Sequence, residues 1–359
     1  MKIRWIGAAL AAMLALSACS LSSFGTGGSG ENPAAGSTGP SAEEILTEEP
    51  LVAPAEDDGR THIGILLYRG HGAAEETVSG FEEELQSLMG HSDVDFEVLD
   101  ADGDADKCAQ IATGFANSGY QLIFACGTEA LQNAGAAVKD VPIVGACVTD
   151  FLLSETVSSL DAPGGNITGV SSMGPIDDQV DQAIQIASWP VMVGIITSGT
   201  EVGSQFQEGV AIQCLDESQV SWKTYHAASA EGLRKILDNA VSDGCTCFYL
   251  PTDSFVASHM DVVRDVMLET GVPVVTGDYQ MCSAGGLCCR SIDYYEHGRK
   301  AAGMAYDILG KGEEISRMAI QEETEWLEYY SPTAAEQLEW YGYGNMIPLH
   351  SSEESEVSK

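Results

Sequence analysis

From Thr61 onward the chain alternates short runs of β-branched and apolar residues with longer amphipathic stretches. This pattern restricts it to parallel βαβ construction. The runs are IGILLY (63–68), VDFEVL (94–99), QLIFAC (121–126), PIVGACV (142–148), VMVGIIT (191–197), VSWKTYH (220–226), TCFYL (246–250) and PVVT (273–276). Helix candidates fall between them at 75–89, 105–117, 202–215, 230–241 and 255–269. In the last, Phe255, Met260, Val263, Met267 and Leu268 lie close to the 3.6-residue period of one buried face. Such stripes report the fold and not the function.

Nearly every run ends in a polar, turn-forming cluster: 68–72, Gly127-Thr128-Glu129, Thr149-Asp150, 198–201, Pro251-Thr252-Asp253-Ser254 and Gly277-Asp278. In open parallel sheets the ligand crevice lies outside the carboxyl ends of the strands, where helix N-termini also direct amide donors. These loops are therefore candidates for one site. Thr128, Asp253 and Ser254 are equally good helix N-caps, so capping alone could account for them. It accounts less well for Asp150 and Asp278. The Gly- and Pro-rich stretch 162–169 divides the runs into two groups, which predicts two α/β lobes with a cleft between them.

The N-terminus places the protein. Lys2 and Arg4 precede an apolar stretch of about 11 residues, and small residues lead into Cys19, the arrangement of an export signal. The stretch is too short to span a hydrocarbon core comfortably, which takes about 20 residues. Leu16-Ser17-Ala18-Cys19 resembles the bacterial lipobox, so Cys19 is the expected lipidation site, and several acyl chains such as palmitate would anchor the protein stably. Residues 20–60 are rich in Ser, Gly, Pro, Ala and Glu and read as a disordered tether; the polar tail 351–359 reads as disordered too.

With 16 Lys and Arg against 54 Asp and Glu, the formal net charge of −38 excludes a nucleic-acid binder, which needs clustered cations to displace counterions. No G-x-S-x-G or Walker motif occurs, no G-x-G-x-x-G follows the first strand, and the seven His form no metal-ligand spacing. No enzyme activity, metal or cofactor is expected. Most of the ten cysteines interrupt runs of strand formers, as Cys126, Cys147, Cys245, Cys247 and Cys288 do, and read as small buried fillers. With Cys19 lipidated, nine thiols remain, an odd number that cannot all pair internally.

PIVGACVTD followed by SSLDAPGGNITGVSS (158–172) resembles the signature of bacterial ABC-transporter substrate-binding lipoproteins of the tryptophan and tyrosine type. LIFACGTEALQ (122–132), SGTEVGSQFQ (198–207), FYLPTDSFV (248–256) and GLCCRSIDYYEHGRKAAGMAYDILGKG (286–312) agree in order, so the resemblance covers roughly 61–312. The sequence departs from the family at Arg69-Gly70-His71-Gly72-Ala73-Ala74-Glu75, where the family reads like E-H-P-A-L-D, at Gly203 and at Phe151. The resemblance implies the type I periplasmic-binding-protein fold, an α/β architecture of two Rossmann-like lobes joined by a three-crossover hinge. The first lobe would be 61–168 plus about 285–312, and the second 169–284 plus about 313–350.

It further implies a monomeric, lipid-anchored protein on the extracytoplasmic face that delivers an aromatic amino acid to an ABC permease. A ligand-sensing ectodomain, or binding of a sugar or nucleoside, are the alternatives. For an amino acid, the carboxylate suits the Gly127-Thr128 loop helped by Ser171 or Ser172. Asp150, Asp253 and Asp278 compete for the ammonium, with Asp253 and Asp278 preferred. Tyr68, Phe151, Phe255 and Tyr279 could stack an aromatic ring, and Glu201, Ser204 and Gln207 would close the cleft from the second lobe.

Overall fold

A computed structural model describes residues 51–342 and 344–349. The export signal, Cys19, most of the tether and the tail 351–359 lie outside the described residues. The end of the tether does not. Val52 is buried in the first lobe's core, the Ala55 amide donates to the Ser118 carbonyl at 2.8 Å, and Tyr120 Oη donates to the Ala53 carbonyl at 3.4 Å. An expectation of disorder up to residue 60 is therefore corrected: two apolar contacts and backbone bonding fix the chain from about residue 51.

In chain order the elements begin β1 (Thr61–Leu67), α1 (Gly72–Met89), β2 (Val94–Asp100), α2 (Ala105–Asn117), β3 (Leu122–Cys126), α3 (Thr128–Ala137), β4 (Ile143–Val148) and β5 (Ile167–Ser171). They continue with α4 (Ile176–Ile186), β6 (Met192–Thr197), α5 (Val202–Glu217), β7 (Ser221–His226), α6 (Ala230–Ser242), β8 (Cys247–Leu250), α7 (Ser254–Ala257), α8 (Met260–Thr270), β9 (Val274–Thr276) and α9 (Tyr279–Gly285). The last are β10 (Cys288–Ser291), α10 (Tyr294–Leu309), β11 (Gln321–Glu322), β12 (Leu327–Tyr330), α11 (Pro332–Gln337) and β13 (Ile347–Pro348). The expected helix at 255–269 is two helices, since Asp253 caps the four-residue α7 and the chain restarts at His259.

The strands form two sheets, ordered β11-β5-β4-β3-β1-β2 and β13-β12-β10-β9-β8-β6-β7. Apart from the antiparallel pair β10–β12, every ladder is parallel. Each sheet is covered on both faces, so the inner strands read as continuous apolar runs rather than alternating ones. In the first lobe, Phe115, Leu131 and Ile143 pack one face, and Phe81, Phe124 and Val144 the other, with the Phe81 and Phe124 rings stacked at 3.9 Å.

The chain passes between the lobes three times: after β5, between β10 and α10, and between β11 and β12. The lobe boundaries differ from those expected. β5 belongs to the first sheet, so the first segment extends to Ser171; PGGN ends just before a strand that needs no apolar run longer than Ile167–Ser171. β10, expected in the first lobe, pairs with β9 and β12 of the second, whereas α10 returns to the first and lies along α1. Glycines permit that last packing: a Cβ at Gly80 or Gly298 would strike the backbone carbonyl of Tyr295 or Thr77. α10 then presents His297 to β4, where its Nε2 accepts from the Cys147 amide at 3.1 Å while Nδ1 faces Glu323 at 2.9 Å.

Candidate functional site

The carboxyl ends of β1, β3, β4, β6 and β8 converge at the junction of the lobes. Their loops enclose a cavity of about 50 Å³. From the first lobe it is lined by Tyr68, Arg69, His71, Gly127, Thr128 and Glu129, with Cys126, Cys147 and Thr149 behind them. The second lobe contributes Glu201, Gly203, Ser204, Gln207, Thr252 and Ser254, and the hinge contributes Ser172 and Tyr294.

The two walls are bonded to each other. Glu129 Oε1 accepts from the Val202 amide at 2.7 Å, and Gln207 Nε2 donates to Thr149 Oγ1 at 3.3 Å. Gly203 is needed for this approach, since a Cβ there would stand 2.7 Å from Thr149 Oγ1. Thr149 is itself held by its amide, which donates to Thr128 Oγ1 at 3.2 Å. The structure is thus of the lobes closed on one another.

Helix N-termini supply the polar character. α1, α3 and α5 all begin at the cavity, and none receives a capping bond from its N-cap side chain. Their first amides need other partners. By contrast α2, α6 and α9, which begin elsewhere, are capped by Asp104, Ser229 and Asp278, while α7 and α10, whose first residues Ser254 and Tyr294 also line the cavity, are capped by Asp253 and Asp293. α4 and α8, also away from the cavity, lack such caps too, so the absence marks the site only in combination with its other groups.

The charges are unbalanced. Glu129 and Glu201 face the cavity and Asp253 lies behind them; Arg69 is the one Lys or Arg among the lining residues, and its Nε is buried without a partner. Glu201 accepts from the Ser254 amide at 3.0 Å, Ser254 Oγ at 2.6 Å and the Phe255 amide at 3.1 Å. Even so, burial and the adjacent Asp253 raise its pKa to about 7. Burial likewise raises Glu129. His71 brings no compensating charge, because burial lowers its pKa to about 4. A cavity of this kind lacks a positive group next to its carboxylates.

Of the residues singled out in the sequence, Tyr68, Gly127, Thr128, Ser172, Glu201, Ser204 and Gln207 are at the cavity. The two preferred acids are not. Asp253 is fully buried and saturated: Oδ1 accepts from the Val256 amide at 3.0 Å, and Oδ2 from the Ser198 amide and hydroxyl at 2.8 and 2.7 Å. Asp278, also fully buried, caps α9 through the Met281 amide at 2.7 Å; its Oδ2 has no partner, and burial raises its pKa to about 6.

Asp150 closes a turn by accepting from the Leu152 and Leu153 amides at 2.7 and 2.8 Å. Ser171 donates to the Thr149 carbonyl at 2.9 Å, within the hinge. The expected aromatic stacking surface is mostly spent elsewhere. Phe151 is in the first core, Phe255 lies on His259, and Tyr279 packs on Tyr329 and Tyr294. Arg69, His71 and Glu129 fall within the candidate loops 68–72 and 127–129, but the sequence assigns them no role because only the sheet fixes which way those loops point. Among the described residues no cluster of three or more His, Cys, Asp or Glu is placed to hold a metal.

Two α/β lobes, three crossovers and a polar cavity closed between strand ends define a hinged solute-binding protein of type I periplasmic fold. Residues 62–339 match the family described as ABC transporter substrate binding protein, and the chain belongs to that family. It is 28% identical over 251 residues to a tyrosine-binding protein of Clostridioides difficile, an alignment covering 69% of this chain and 72% of the relative. Among solved structures it resembles an ABC domain in complex with L-Trp from Streptococcus pneumoniae, with a TM-score of 0.75 at 21% identity, covering 81% of this chain and all (100%) of that one. A ligand-free, open substrate-binding protein with adhesive properties from Clostridium difficile matches with a TM-score of 0.64 at 25% identity, again covering 81% and 100% of the two chains. No helix among the described residues is long and apolar enough to cross a membrane.

Proposed function

We propose that the cavity captures an α-amino acid, an aromatic one such as tyrosine or tryptophan, and that the chain hands it to a membrane permease from a lipid anchor at Cys19. The observation that carries this reading is the pairing, in one closed cavity, of helix N-termini that lack an N-cap side-chain bond with under-compensated carboxylates. The ligand carboxylate docks at the first turns of α1 and α3, beside Arg69, where amide donors and helix dipoles favour an anion. Its ammonium meets Glu201, whose carboxylate it would hold ionised, with Glu129 close by. Tyr68 and Tyr294 are the ring faces available to its side chain. Because ligand bonded to both lobes favours only the closed arrangement, binding and closure are one equilibrium.

The resemblance to a tyrosine-binding relative supports the choice of side chain, and the site geometry supports the zwitterion. Calorimetric titration of the protein with L-tyrosine, L-tryptophan and L-phenylalanine tests it. At least one should bind with a dissociation constant in the micromolar range or tighter, and the matching decarboxylated amine should bind far more weakly. Failure of all three amino acids beside binding of a sugar or nucleoside would reject the reading.

A further inference from the structure

Two sulfurs share one wall of the cavity. Cys126 ends β3 and Cys147 stands one residue from the end of β4, and both line the cavity. On regular strands they would point to opposite faces, because Cys126 is in register with Ala146 and side chains alternate along a strand. A bulge changes that. Gly145 pairs with Gly169 but Val148 pairs with Ser171, which leaves one extra residue in β4, and Cys147 takes a left-handed φ of 53°.

That conformation costs a non-glycine residue free energy and is held in place by the bond from the Cys147 amide to His297. Its effect is to turn Cys147 Sγ onto α1, 3.1 Å from Thr77 Oγ1, while Cys126 Sγ lies 4.0 Å from the Ala74 carbonyl one turn away. The neighbouring Cys147 thiol, then burial, push the Cys126 pKa well up. Cys126 stands beside the Ala146 position of the neighbouring strand, and the bulge turns Cys147, one residue on, to the same cavity wall.

We propose that Cys126 and Cys147 form a dithiol–disulfide site in the cavity wall, oxidised by exchange with a small external disulfide that enters through the open cleft. The partly exposed Cys147, as thiolate, attacks one sulfur of the external disulfide; that S–S bond breaks, one thiolate leaves, and a mixed disulfide forms. The Cys126 thiol then loses its proton and attacks Cys147 Sγ, which expels the second thiolate. The protein pair gives up two electrons, the external disulfide is reduced to two thiols, and the two protons end on those thiols. The other close pair, Cys282 and Cys289, is fully buried and does not line the cavity, and Cys245 and Cys247 sit in the second lobe's core. Exchange should therefore be selective. Thr149, two residues beyond Cys147, ties the cavity walls together, so the new bond would also displace a ligand-facing segment.

The test uses the full reduced protein incubated with oxidised glutathione, trapped with iodoacetamide, unfolded, digested and analysed by mass spectrometry. A peptide pair linked through Cys126 and Cys147 should dominate and disappear with dithiothreitol, while the other seven described thiols remain alkylated. Cys147→Ser should yield no linked peptide at Cys126. No 126–147 link in the native protein, or links spread evenly over the nine thiols, would overturn the proposal. Where calorimetry shows L-tyrosine bound, saturation with it should slow the linkage at least tenfold, and an unchanged rate would overturn entry through the cleft. Should no amino acid bind, the amino-acid reading fails while the linked peptide still decides this one.

Discussion

Glu201 and Asp253 both stand at the N-cap position of a helix, α5 and α7, and the fold uses them in opposite ways. Asp253 is one methylene shorter, so its carboxylate folds back onto its own helix and reaches the Val256 amide; Ser198 takes the remaining oxygen. Glu201 is too long for that turn. It reaches across to the Ser254 and Phe255 amides at the start of α7 and stays beside the cavity. The shorter acid is consumed by the scaffold and the longer one faces the ligand.

Substitution should separate the two roles. Glu201→Gln, the largest expected effect, should weaken amino-acid binding by about 2–5 kcal/mol, because the ammonium loses a desolvated charge partner. The same assignment fixes a pH dependence. With a ligand-free pKa of about 7, Glu201 is increasingly protonated below neutrality, and ligand must expel that proton. Affinity should fall as pH drops from 8 to 5, approaching tenfold per unit, and Glu201→Gln should flatten the profile. A pH-independent dissociation constant would remove Glu201 from the site. Asp253→Ala should instead cost about 2–4 kcal/mol of stability in urea unfolding, from a lost cap and two orphaned Ser198 donors, and change the affinity of the folded protein by less than about threefold.

A third acid extends the contrast. Asp278 is a cap like Asp253, but its second oxygen is buried without a donor. Its folded pKa of about 6 exceeds the ordinary 3.8, so its contribution to stability is complete below about pH 3.8 and is lost as pH rises through 6. Glu76, raised to about 7 by burial and then by Asp293, acts in the same direction. Asp278→Asn keeps a capping oxygen and removes the charge. It should raise stability at pH 8 by on the order of 1–3 kcal/mol and leave less pH dependence between 4 and 6. A thermal melt series across that range reads both, and a variant that is less stable at pH 8 would show that the orphan oxygen has a partner.

These cases explain what the sequence made legible. Apolar runs and their spacing mark β1 to β4 and β6 to β9, because strands of a covered parallel sheet are rich in apolar residues, but not β10 to β13. β5 escaped because ITGVS is short and directly follows PGGN, which reads as a turn. The returning segment 285–312 was assigned to one lobe because sequence contiguity hides a crossover between Ser291 and Tyr294. At the site, the sequence shows which residues end strands but not which helix amide a carboxylate can reach. That depends on one methylene and on the neighbouring helix, so the sequence favours Asp253 and Asp278 for the ammonium, leaves Glu201 to cleft closure, and gives Glu129 no role of its own.

Glu129 supplies the smallest effect and isolates closure from ligand contact. Its carboxylate satisfies the Val202 amide, the first of α5, only while the lobes touch. Val202→Pro deletes that donor without altering either carboxylate. Proline fits the first position of a helix, and Glu201 already has the extended φ of −89° and ψ of 130° that a following proline requires. Stability should change little, while affinity drops about threefold to tenfold, since closure loses one hydrogen bond to a charged group. The loss should appear mainly as faster dissociation in stopped-flow displacement, because a latch formed after encounter prolongs the closed state. A slower association with unchanged dissociation would instead place the Glu129–Val202 contact in the entry step.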